Sequence, residues 1–112
     1  AWTRAPWPYT TKRYLRKLGV VRPMWLRPSY SSLDDMLTLA RRLTESAEPA
    51  LNVIFHSSEI LVGGSPYNRT QAELDAFLDR LERFLAAATR ELRAVPLTFH
   101  EFRDRYCAPR AA

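Results

Sequence analysis

Apolar residues recur along this chain in two rhythms, and the alternation between them predicts its elements. Leu33, Met36, Leu37, Ala40 and Leu43 keep the i, i+3, i+4, i+7 spacing of an amphipathic helix. Ser31 or Ser32 stands where a cap belongs, Asp34 and Asp35 suit the positive end of the helix, and residues 45–49 break it. Leu74, Phe77, Leu78, Leu81, Phe84, Leu85, Ala88 and Leu92 mark a longer helix, which the Thr70-Gln71-Ala72-Glu73 capping box opens. The same box recurs at Thr98-Phe99-His100-Glu101 and starts a short closing helix through Tyr106. Between these, Leu51-Asn52-Val53-Ile54-Phe55 is short, β-branched and nearly continuous in apolar character, the signature of a strand buried on both faces. Met24–Arg27, ended by Pro28, and the run Val95-Pro96-Leu97-Thr98 read as two further short strands.

Upstream, residues 1–9 hold Trp2, Pro6, Trp7, Pro8 and Tyr9, an aromatic lead-in that excludes a regular helix. Thr10 or Thr11 caps a short helix that Gly19 ends. Helices alternating with strands predict an α/β fold of parallel βα units joined by right-handed crossovers, within a single domain over 1–112. Three strands are few for such a sheet. Its edges are therefore expected to be completed by neighbours outside this chain, or covered by the aromatic segment or a partner chain.

Composition changes the picture little. With 46% hydrophobic and 26% charged residues the chain is neither disordered nor membrane-embedded, and no apolar run is long enough for a membrane span. No signal peptide is visible, and the lone Cys107 excludes an internal disulfide framework and a cysteine-based zinc site, so a cytoplasmic location is expected. The formal charge of +5 is dispersed, with Lys12, Arg13, Arg16 and Lys17 as the one cluster. Many basic residues lie beside acids at helical positions, as on a solvated face, and nucleic-acid binding is not expected.

Ligands of parallel α/β folds sit beyond the C-terminal ends of the strands. Those ends are Arg27-Pro28-Ser29-Tyr30, His56-Ser57-Ser58-Glu59 and His100-Glu101, which topology brings to one rim. His56 follows a rigid strand and precedes a loop with Gly63 and Gly64; it is the candidate proton-transfer residue, against the plainer reading of a histidine hydrogen-bonded at a strand end. His100 reads as a first-turn helix residue. Glu59 serves either to orient His56 or to contact a ligand, and Arg27 either to bind a carboxylate or sugar hydroxyl or to pair with Asp34 or Asp35. Ser57 and Ser58 lie beside the histidine, yet the chain lacks a nucleophile elbow. Asp34-Asp35 reads as helix dipole chemistry and not as a metal pair.

Over Leu51–Glu59 and the following Gly63-Gly64-Ser65-Pro66-Tyr67, the chain resembles the C-terminal part of polysaccharide deacetylase-like proteins. These form the nodulation-type chitooligosaccharide deacetylase group, and the branch resembled is associated with bacterial surface-polysaccharide and O-antigen biosynthesis. The resemblance spans roughly residues 24–106, with specific motifs over 51–67. It implies a distorted (β/α) barrel of which this chain is the C-terminal portion. In that family a late strand ends in a Leu-x-x-x-x-His pattern, matched here by Leu51 through His56, which makes His56 the acid that protonates the leaving sugar amine. Arg27, Ser57, Glu59 and Tyr67 are then the expected substrate-binding residues, with Trp7, Tyr9, Tyr30 and Tyr67 as possible sugar-stacking surfaces. The family's Asp-Asp and His-x-x-x-His motifs have no counterpart here. A divalent metal is accordingly expected in the full-length hydrolase and none in this chain alone, which by itself is expected to be nearly inert. The implied partners are a carbohydrate substrate and an N-terminal half of the barrel or a partner chain. The alternative is a non-catalytic module that binds carbohydrate or protein.

Overall fold

The computed structural model describes residues 24–107. In order they form α1 (Leu33–Glu45), a single 3-10 turn (Ser57–Ile60), α2 (Gln71–Arg90) and α3 (Phe99–Tyr106). The expected aromatic lead-in with Trp7 and Tyr9, the helix capped at Thr10 or Thr11, and the basic cluster Lys12 to Lys17 lie outside the described residues.

Each helix begins where its polar punctuation requires. Ser32 caps α1, its hydroxyl oxygen accepting the Asp35 backbone N–H at 3.1 Å. Ser31, the other candidate, is buried and accepts the Trp25 backbone N–H at 3.3 Å. At the far end Glu48 N–H bonds Leu43 O at 3.0 Å and Ala47 N–H bonds Thr44 O at 3.1 Å, a Schellman closure with Ala47 left-handed at φ 56°. Both capping boxes form. Thr70 accepts from Glu73 N–H at 3.2 Å while Glu73 accepts from Thr70 N–H at 3.0 Å, and Thr98 and Glu101 do the same at 3.2 and 2.7 Å. Caps of this kind contribute about 1 kcal/mol each.

The core lies between α1 and α2. Met36 and Ala40 from α1 meet Phe84 and Ala88 from α2, with Leu26 closing one side. Leu33, Leu37, Leu43, Leu51, Val53 and Leu92 pack partly buried around them. Leu74 and Phe77 continue the buried line of α2 toward its N-terminus, where Phe55 meets Phe77 edge-on at 5.7 Å. The stripe is narrower than the sequence pattern implies. Leu78 and Leu85 are exposed, because a helix packed against one neighbour buries a single line of positions three and four apart, and those two fall beside that line.

The expected α/β fold is overturned. Among the described residues there is no strand, hence no parallel sheet and no barrel. The three segments read as strands are irregular connections, and the single backbone hydrogen bond joining them runs from Ile54 N–H to Leu26 O at 3.0 Å. A strand needs a ladder, and one bond does not make it. Leu51 and Val53 turn toward the helices, whereas Asn52, Ile54 and Phe55 are exposed, so this segment is covered on one face only. A five-residue run with four apolar side chains suits a segment lying along two helices as well as it suits a buried strand. Among the described residues no helix is long and apolar enough to cross a membrane.

Candidate functional site

Two of the three expected rim segments meet although no sheet carries them. After Leu26 the chain turns tightly, Arg27 O accepting the N–H groups of Tyr30 at 3.0 Å and Ser31 at 2.9 Å. That turn holds Arg27, Ser29 and Tyr30 against the 3-10 turn that follows His56. The contact between them is the Glu59 carboxylate, which is only 1% exposed.

A buried carboxylate is costly unless its lone pairs are filled, and here four donors fill them. Oε1 accepts from Arg27 Nη2 at 2.7 Å, from the His56 backbone N–H at 3.1 Å and from the His56 ring at 2.9 Å. Oε2 accepts from the Ser29 hydroxyl. Burial alone would raise the carboxyl pKa. The bonds from Ser29, from the His56 backbone and ring and from Arg27 outweigh it, and hold the group down at about 2. Glu59 is therefore ionised throughout the physiological range.

That fixed charge sets the histidine. A carboxylate only accepts, so His56 Nδ1 carries the hydrogen and donates it. Arg27 Nη2 lies 3.2 Å from the same nitrogen, a packing contact, because both atoms bear hydrogens. The ring is pinned at Nδ1 while its side chain stays 69% exposed, which leaves Nε2 available at the surface. Beside it Arg27, 19% exposed, lies under two tyrosines, its guanidinium carbon 5.8 Å from the Tyr30 centroid and 5.4 Å from that of Tyr67. The two rings meet edge-on at 6.1 Å.

The loop beyond the turn is locked to it. Buried Asn68 donates from Nδ2 to Glu59 O at 2.6 Å, and its own carbonyl accepts Gly63 N–H at 2.9 Å. Gly63 is left-handed at φ 73°, and a Cβ on Gly64 would stand 2.6 Å from Ser58 O. This closure brings Tyr67 back over Arg27.

Of the expected site residues, the structure brings together Arg27, His56, Glu59 and Tyr67. Ser57 is exposed at the first position of the 3-10 turn, and its side chain bonds none of the others. Arg27 pairs with Glu59 and not with Asp34 or Asp35. His100 is elsewhere, on the surface of α3, with Nε2 3.3 Å from Asp104 Oδ2. Sequence reasoning left out Ser29 as a ligand of Glu59, Asn68, and Arg80, which donates from α2 to Pro28 O. For Asn68 a signal existed: an asparagine closing a Gly-Gly-Ser-Pro loop is a turn residue that bonds nearby backbone.

The described residues do not fit a metal site. No three His, Cys, Asp or Glu side chains cluster among them, and Glu59, the one acid beside His56, already has both oxygens occupied. A shallow apolar hollow on α2, lined by Leu78, Leu81 and Leu85, shares no residue with this corner. Compared with family models, curated proteins and solved structures, the chain matches none.

Proposed function

We propose that this chain carries the proton-transfer part of a hydrolase that removes acyl groups from N-acylated sugars, as in surface-polysaccharide biosynthesis. The observation that supports it best is the pinned and exposed His56: Nδ1–H is held by a buried, ionised Glu59, while the side chain is 69% exposed and Nε2 has no partner among the described residues. Such a ring is oriented without being covered, as a general acid or base requires. In deacylation water supplies the hydroxyl that ends on the acyl carbon. The C–N bond breaks, and Nε2–H gives its proton to the departing amine nitrogen. Glu59 accepts from Nδ1–H before and after that transfer. Tyr30 and Tyr67 offer amphipathic faces next to the ring on which a sugar can stack.

The reading assigns water activation to groups outside the described residues, with any divalent cation held there. The experiment is acetate release from N-acetylated oligosaccharides by the full-length protein, with added divalent metal or with chelator, beside His56→Gln. Release that drops at least about 10²-fold in the variant, while the variant melts like the parent, supports the acid role. Folded protein that binds such sugars and releases nothing under any of these conditions is a binding module, and the hydrolase reading fails.

A further inference from the structure

The donors and acceptors around His56 are not balanced. Glu59, the only carboxylate among these contacts, has four donors on its two oxygens and is buried out of a ligand's reach. Arg27 commits one of its five N–H groups to it. Arg80 donates to Pro28 O, next to Arg27 in the chain, and forms an ion pair with no carboxylate among the described residues. One guanidinium is thus anchored on Glu59 and the other on the carbonyl of Pro28, next to Arg27 in the chain, with a single buried carboxylate between them, leaving one positive charge uncompensated. The exposed His56 and the rings of Tyr30 and Tyr67 complete the surface. Neutral sugars present hydroxyl donors as well as acceptors, and a site built for them keeps a carboxylate or amide oxygen to receive those donors. This corner offers a surplus of cationic N–H donors, the arrangement that recognises a carboxylate.

We infer that the corner selects N-acylated sugars that carry a carboxylate, an inference that rests on the sugar reading above. One sugar ring stacks on Tyr30 and Tyr67, and the acid group of that residue or its neighbour is held by Arg27 and Arg80.

The test is calorimetric titration of the full chain with three hexasaccharides. The first alternates N-acetylglucosamine with glucuronate, the second is the same sugar with its carboxylates reduced to alcohols, and the third is an N-acetylglucosamine oligomer. The acidic sugar should bind about tenfold or more tightly than its reduced form, with an advantage that shrinks as salt rises. Arg80→Gln should erase most of that advantage, read as the ratio of the acidic to the reduced sugar's affinity within the variant. Arg83→Gln, which removes a surface charge paired with Asp79 at 3.5 Å, should leave both affinities as they were. Equal affinity for the acidic and reduced sugars would overturn the acid preference while the sugar reading stood. A folded chain that bound none of the three would remove both. Losses from Arg83→Gln as large as those from Arg80→Gln would assign the effect to overall charge, and would also overturn the inference.

Discussion

The molecule contains two histidines, and each has a carboxylate and an arginine beside it. His56 meets Glu59 at 2.9 Å with Arg27 on the same oxygen, and His100 meets Asp104 at 3.3 Å with Arg103 on that acid. The chemistry is matched; the surroundings are not. Asp104 is 55% exposed on one side of a short helix, whereas Glu59 is sealed between two turns. Water competes for every contact of the first acid and for none of the second. An exposed trio of this kind contributes about 0–1 kcal/mol, while a buried acid that loses or leaves its partners costs several. Burial, more than the identity of the neighbours, separates a residue that organises a site from one that decorates a helix.

The largest break in that comparison is Glu59→Gln. It removes the charge on which Arg27, Ser29 and the His56 ring and backbone converge, and leaves Arg27 partly buried without its anion. A loss of about 3–5 kcal/mol is expected in urea unfolding. A midpoint unchanged from the parent would mean that Glu59 is not the latch between the two turns.

Acid should reveal the same group. Its carboxyl titrates at about 2 in the folded chain against 4.5 for the ordinary value. A depressed pKa stabilises the fold above the unfolded value, and that contribution is lost as pH falls toward the folded one. Between pH 5 and pH 2, on the order of 3 kcal/mol should therefore disappear. Glu73 and Glu101 are also lowered, by backbone bonds at their capping boxes, and titrate in the same direction. The difference between parent and Glu59→Gln across this window isolates Glu59. Parallel curves for the two proteins would contradict its ionised burial.

A smaller effect is expected from Gly64→Ala. The added methyl meets Ser58 O, a backbone atom that cannot step aside, so the loop must shift off the turn that carries Glu59. A loss of about 1–3 kcal/mol, with faster amide exchange over residues 57–68, is the expected result. The smallest change is Asp104→Asn, which should alter the unfolding free energy by no more than about 0.5 kcal/mol. If it cost as much as Glu59→Gln, the contrast between the two histidines would collapse.

How much of this was legible in the sequence follows from the range of each interaction. The helices and their starts were, because Thr70 and Glu73, or Thr98 and Glu101, satisfy one another within a single turn. The supposed strands were not. Leu51 to Phe55 carries an apolar pattern that two helices satisfy as well as a sheet does, and what decides between them lies outside the segment. At the site, His56 and Glu59 are three residues apart, so their pairing was open to inspection. Arg27 was found as a candidate, but its true partner lay 32 residues on. Nothing local marks Ser29 as a ligand of Glu59, or Arg80 as reaching Pro28, since the first depends on how the turn before α1 meets the 3-10 turn and the second on how it settles on α2.

The sealing of Glu59 has a consequence for how this protein can vary over generations. One carboxylate both fastens two turns and aims His56, so a change there cannot spoil chemistry alone. It lowers the folded population as well, and a cell that clears unfolded chains would show the loss first as reduced abundance. Adaptation of the site to a new ligand is therefore expected at the exposed Tyr30 and Tyr67, with the buried acid left as it is.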